Sequence, residues 1–146
     1  MQENKTKPPF ADDKQVAILL AAFEVFSRYG YRRTSMEDIA KGAGMSRAAL
    51  YLHFRNKEDI FRSLVEMFYD QTATQTEQVL SQGLQAGEAL KTTFMAQARQ
   101  VAKTLWPTPG MEELMDSKTT VLRDVIETGE ARMAAVYAQW LKREAG

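Results

Sequence analysis

Three helix starts are crowded between Thr34 and Asn56, and that crowding leaves room only for short helices. Thr34 stands three residues before Glu37, the spacing of a capping box, in which a hydroxyl and a carboxylate satisfy the open backbone donors of a first turn. Ile39 and Ala43 then share one face at i and i+4, and Ala40 beside them leaves space for a close neighbour. Gly42 and Gly44 bring that helix to an early end. Ser46 is a good N-cap directly before Arg47, Ala48, Ala49 and Leu50, so a second helix begins almost at once. Two short helices joined by Gly44-Met45-Ser46 have the geometry of a helix–turn–helix. Asn56 repeats the device, with Glu58 and Asp59 placed where acids suit a helix dipole.

The flanks are helical too. From Lys14 to Tyr29, apolar residues at Val16, Leu19, Leu20, Phe23, Phe26 and Tyr29 recur in steps that mostly return to one helical face, and Gly30 stops the run. Beyond Asn56 a longer helix carries Ile60, Phe61, Leu64, Val65, Met67 and Phe68 until Gly83 and Gly87 interrupt it. Another spans Glu88 to Leu105, ending at the breaker Trp106-Pro107-Thr108-Pro109-Gly110, and a last one runs from about Met111 to Lys142. No alternating strand pattern competes. The expected fold is all-α: a flexible N-terminal arm over 1–13, a three-helix helix–turn–helix domain over 14–56, and a bundle of longer helices over 57–146.

Composition removes several classes of function. The chain has no cysteine, which excludes a disulfide scaffold, a thiolate nucleophile and the common structural zinc sites. His53 is its one histidine, so no histidine cluster can hold a metal and a hydrolase finds no support. No run of about 18 apolar residues appears and the N-terminus is polar, so neither a membrane span nor a secretory signal is expected, and the protein is placed in the cytoplasm. Bases and acids balance at 19 each, but between Arg28 and Lys57 seven bases face only Glu37 and Asp38. A local basic patch on a neutral chain suits a phosphate-facing surface, or equally a helical module that binds an acidic protein.

The segment Ser46 to Phe54 favours the first of these. A helix lying in a major groove about 12 Å wide needs outward side chains that are small or that reach base edges. Arg47 can donate twice to guanine, and Ala48 and Ala49 allow close approach and contact with a thymine methyl. Leu50 and Phe54 would point inward. Tyr51, His53 and Lys57, with the hydroxyls of Thr34 and Ser35, are phosphate donors that would position without specifying, and Arg32 and Arg33 lie close by in sequence.

Thr34-Ser35-Met36-Glu37-Asp38-Ile39-Ala40, then Ala43-Gly44-Met45-Ser46, then Leu50-Tyr51-Leu52-His53-Phe54-Arg55-Asn56-Lys57-Glu58 resembles, without a gap, the N-terminal domain of the tetracycline-repressor (TetR) family. The resemblance covers roughly Lys14 to Phe68. It implies a homodimeric, all-helical transcription regulator, usually a repressor, that binds double-stranded DNA at an inverted repeat and responds to a small-molecule inducer. It would make the helices over 57–146 the ligand-binding and dimerisation domain. It places Ser46, Arg47, Ala48, Ala49, Tyr51, His53 and Lys57 toward DNA and Thr34 and Ser35 near phosphates. No cofactor, metal or catalytic residue is implied. Family chains commonly continue for several more helices, including the pair that builds the dimer, whereas this sequence stops at Gly146. In the second half, Phe94, Met95, Trp106, Met115, Met133 and Tyr137 are the side chains suited to an adaptable apolar effector pocket, or to an ordinary helical core.

Overall fold

A computed structural model of the chain describes residues 12–105 and 120–146, and these residues form helices and turns without a strand. The helices are α1 (Asp13–Tyr29), α2 (Met36–Gly42), α3 (Arg47–Tyr51), α4 (Lys57–Leu80), α5 (Ala86–Leu105) and α6 (Thr120–Ala145). The order, the short early helices and the long later ones are as expected. Most of the arm at 1–13, the breaker at Trp106–Gly110 and the stretch from Met111 to Lys118 lie outside the described residues.

Side-chain caps set the helix starts. Asp12 accepts from the Gln15 N–H, Ser46 from the Ala49 N–H and Asn56 from the Asp59 N–H, each at the third position of its helix. For α2 the capping box falls one residue later than expected. The Ser35 hydroxyl accepts from the Asp38 N–H at 3.1 Å while the Asp38 carboxylate accepts from the Ser35 N–H at 2.9 Å. Thr34 is instead buried, its hydroxyl donating to the Gly30 carbonyl at 2.7 Å. Hydrogen bonding from the Ser35 N–H, and then from the Ser35 side chain, pulls the Asp38 carboxyl below its usual range. At the other end of α2, Gly44 takes φ 66°, Met45 N–H donates to the Ala40 carbonyl and Gly44 N–H to the Lys41 carbonyl. This pairing closes the last turn and needs a left-handed residue at position 44, which glycine supplies without strain.

Two apolar clusters organise the packing. The first joins Ile18, Leu19, Ala22 and Phe26 of α1 with Met36, Ile39 and Ala40 of α2, Leu50, Phe54, and Ile60 and Met67 of α4. The face of α1 is turned from the expected one: Ile18, Ala22 and Phe26 line it, while Leu20 and Tyr29 are exposed. Phe26, Tyr31 and Phe61 meet with ring centroids 5.5–5.9 Å apart, tying α1 and the following turn to α4. The second cluster joins Ala73 and Leu80 of α4, Ala89 of α5, and Val136 and Trp140 of α6. α4 therefore belongs to both halves of the molecule.

The partners across α4 fix the direction of its neighbours. Gln97 Nε2 of α5 donates to Thr76 Oγ1, and Thr72 Oγ1 donates to Gln100 Oε1, so α5 returns antiparallel to α4. Arg62 pairs with Asp124 at 2.6 Å and Asp70 pairs with Arg132, and since both numbers rise together α6 runs parallel to α4. Between those two ion pairs Gly129 of α6 lies against the Tyr69 ring. A Cβ at Gly129 would stand 2.3 Å from Tyr69 Cγ, so the crossing is as close as a helix backbone allows.

Candidate nucleic-acid interface

The short helix α3 is held from behind. Leu50 is fully buried and Phe54 nearly so, one turn apart on the side that meets the first cluster. The outward side carries two rows at i and i+4. One is Arg47 and Tyr51, with the guanidinium carbon 5.6 Å from the phenol ring centroid. Hydrogen bonding to Tyr51 also pushes the Arg47 pKa up, and the guanidinium is fully exposed. The other row is Ala48 and Leu52, both exposed. Ser46 is exposed at the N-terminus, Ala49 lies between the two sides, and His53 is half-buried just past the helix.

Thr34 and Lys57 depart from the expected roles. Thr34 is only 2% exposed with its proton given to Gly30, and so is not a phosphate donor. The Lys57 ammonium donates to the carbonyls of Tyr31 at 2.8 Å and Arg32 at 3.3 Å and lies over the Tyr31 ring. It is a clasp between the start of α4 and the turn after α1, with at most one of its three protons left for a phosphate. Ser35 is exposed, and its hydroxyl oxygen accepts from the Asp38 N–H. Arg28, Arg33, Lys41 and Arg55 are exposed.

Leu52 is an exposed residue beside α3 that sequence reasoning gave no role. The signal was available, because Leu50 and Phe54 already fill the inner face at i and i+4, and a third large apolar residue between them must point elsewhere.

In the second half, Tyr137 and Met133 are partly buried against the second cluster, and Gln97 Nε2 also donates to the Tyr137 hydroxyl at 2.8 Å. Phe94 and Met95 do not line that seam. They are 71% and 53% exposed, because the inner side of α5 is taken by Ala89, Thr93 and Gln97, four residues apart, and Phe94 and Met95 fall outside that row. Trp106 and Met115 lie outside the described residues. Among the described residues no cluster of histidine, cysteine, aspartate or glutamate could hold a metal, and no helix is long and apolar enough to cross a membrane.

An all-helical chain whose first helices present an exposed, basic, twice-anchored recognition helix defines the class of helix–turn–helix DNA-binding regulators. Residues 18–64, about a third of the chain, match the family described as bacterial regulatory proteins, tetR family. It is 43% identical over 61 residues to the HTH-type transcriptional repressor BepR of Brucella suis, a stretch that is 42% of this chain and 29% of that protein. The chain spans well under half the length of curated relatives such as BepR and AcrR of Shigella flexneri, both named as transcriptional regulators. Among solved structures, the fatty acid degradation regulator FadR from Bacillus halodurans superposes with a TM-score of 0.74 at 22% identity, covering 91% of this chain and 68% of that one. FadR from Bacillus subtilis, in complex with stearoyl-CoA, superposes with a TM-score of 0.68 at 24% identity over 88% of this chain and 69% of that one. These likenesses establish the fold.

Proposed function

We propose that the chain is a ligand-responsive transcriptional repressor that binds an inverted repeat in double-stranded DNA as a homodimer. The observation that carries the reading is the outward face of α3, where the charged Arg47 stacked on Tyr51 stands beside small Ala48 on a helix anchored by Leu50 and Phe54. Arg47 reads guanine, Ser46 and Ala49 let the helix approach, and Tyr51, His53 and Ser35 hold phosphates. Residues 14–56 form the reading domain and 57–146 the effector and dimer domain, with the first turns of α4 packed into the former. The protein acts in the cytoplasm.

Two such helices about 34 to 36 Å apart enter successive major grooves of one face of the duplex. A small molecule held among α4, α5 and α6, near Tyr137 and Met133, acts on binding by favouring a spacing that DNA does not accept. The B. subtilis FadR complex with stearoyl-CoA supports an effector with a long apolar part.

Selection from a pool of random duplexes at about 0.15 M salt, with the bound fraction sequenced, tests the reading. Enrichment of an inverted repeat is the expected result. Enrichment of a single half-site would remove the dimer from the proposal, and no enrichment by a folded sample would overturn DNA recognition itself.

A further inference from the structure

Leu52 is 85% exposed, more than any other large apolar side chain among the described residues. Its place is not accidental to a frayed end. Its backbone stays helical at φ −70° and ψ −23°, and its N–H still donates to the carbonyls of Ala49 and Leu50. Leu52 therefore lies one full turn beyond Ala48 on the same side, and the two make an apolar row on the order of 6 Å long. Beside it runs the row of Arg47 and Tyr51. The fold gains almost nothing from a leucine in water, and the core has no place for it, since Leu50 and Phe54 hold the inner face.

We infer that Leu52, together with Ala48, reads the 5-methyl group of a thymine in each half-site. The inference rests on the reading of α3 as the helix that enters the major groove. The occupant follows from the charges this end of the chain exposes: Arg28, Arg33, Lys41 and Arg55 suit a polyanion, and Arg47, stacked on Tyr51 beside the row, suits a base edge. In the major groove the one apolar group that distinguishes a base pair is the thymine methyl; every other edge is a hydrogen-bond donor or acceptor that a leucine would strip of water without replacing. An apolar row parallel to a guanine-reading arginine therefore sorts thymine from cytosine at the neighbouring base pair. Leu52 is a specificity-determining residue and Tyr51 beside it a positioning one.

The test uses the full chain and a duplex enriched by it from the random pool. Each thymine is replaced in turn by deoxyuridine, which removes only the methyl group. Wild-type protein is expected to lose about fourfold in affinity at one thymine of each half-site. Leu52→Ala and the size-preserving Leu52→Gln should bind the thymine and uracil duplexes alike, with an unchanged melting temperature, while Arg47→Ala keeps the fourfold difference. Wild-type protein indifferent to the methyl at every position, or a methyl effect that survives in both Leu52 variants, would overturn the inference. So would an enriched half-site lacking thymine. Specific binding without a methyl effect sinks this assignment alone, whereas failure to enrich any duplex sinks the DNA reading beneath it.

Discussion

The Lys57 ammonium lies 4.4 Å from the centroid of the Tyr31 ring and donates to the carbonyl of the same residue at 2.8 Å. One side chain at the first position of α4 thereby holds both the ring and the backbone of the turn that leads into α2. Phe26 and Phe61 close on the other sides of that ring. Lys57→Ala should destabilise the N-terminal cluster by about 1 to 3 kcal/mol, measured by urea unfolding, since a charged hydrogen bond and a cation–π contact go together. An unchanged midpoint, with the salt slope of DNA binding lower by about one, would instead make Lys57 a phosphate donor first.

Arg47 carries the opposite signature. Arg47→Ala should leave stability unchanged and cost roughly 1 to 3 kcal/mol at a single base position of each half-site. Arg47→Lys should not restore that preference, because an ammonium cannot make the paired, planar contact. Competition binding with single-base variants of an enriched duplex checks this. A uniform loss across all variants would reassign Arg47 to the phosphates.

Gly129 sits inside a long helix, where alanine is ordinarily the better residue by about 1 kcal/mol. The Tyr69 ring reverses that sign. Gly129→Ala should destabilise the protein by roughly 1 to 3 kcal/mol through overpacking, and Tyr69→Ala in the same chain should recover part of the loss in a double-mutant cycle. A more stable Gly129→Ala protein would show that the crossing can spread at no cost.

Acid should weaken the start of α2. The Asp38 carboxyl is held below its ordinary value of 3.8 by its bonds with Ser35, so its contribution is complete above that value and is lost as pH falls through the lower, folded-state value. Thermal melts of wild type and Asp38→Asn should differ by a constant amount from neutral pH down to about 4 and converge below it. A gap that persists at pH 2 would mean that the asparagine itself disturbs the turn.

Most of the reading head was legible in the sequence. Ser46 and Asn56 cap helices where they were expected to, and the Leu50 and Phe54 anchors follow from helical spacing alone. The capping box of α2 was ambiguous in one dimension. Thr34 with Glu37 and Ser35 with Asp38 are overlapping versions of the same pattern, and only burial of Thr34 against Gly30 chooses between them. Lys57 could not be placed either, because its partners Tyr31 and Arg32 are distant in sequence and offer carbonyls, which every residue has. In the second half the misplacement of Phe94 and Met95 has a plain cause: the inner face of α5 is built from Ala89, Thr93 and Gln97, which no hydropathy pattern would select. The pairs Arg62–Asp124 and Asp70–Arg132 join residues far apart in sequence, and periodicity says nothing about such partners.

The parallel course of α4 and α6 bears on how the chain reaches its native state. Contacts within the N-terminal cluster close over modest lengths of chain, whereas the ion pairs between α4 and α6 join residues 62 apart. Loop closure of that kind is slow relative to local helix pairing. The N-terminal cluster is thus positioned to form first on a nascent α4, and the seam at Tyr69 and Gly129 to be zipped last. A chain emerging from synthesis would expose the inner side of α4 beyond Met67 during that interval, and the rate at which α6 arrives would set how long it stays open to aggregation.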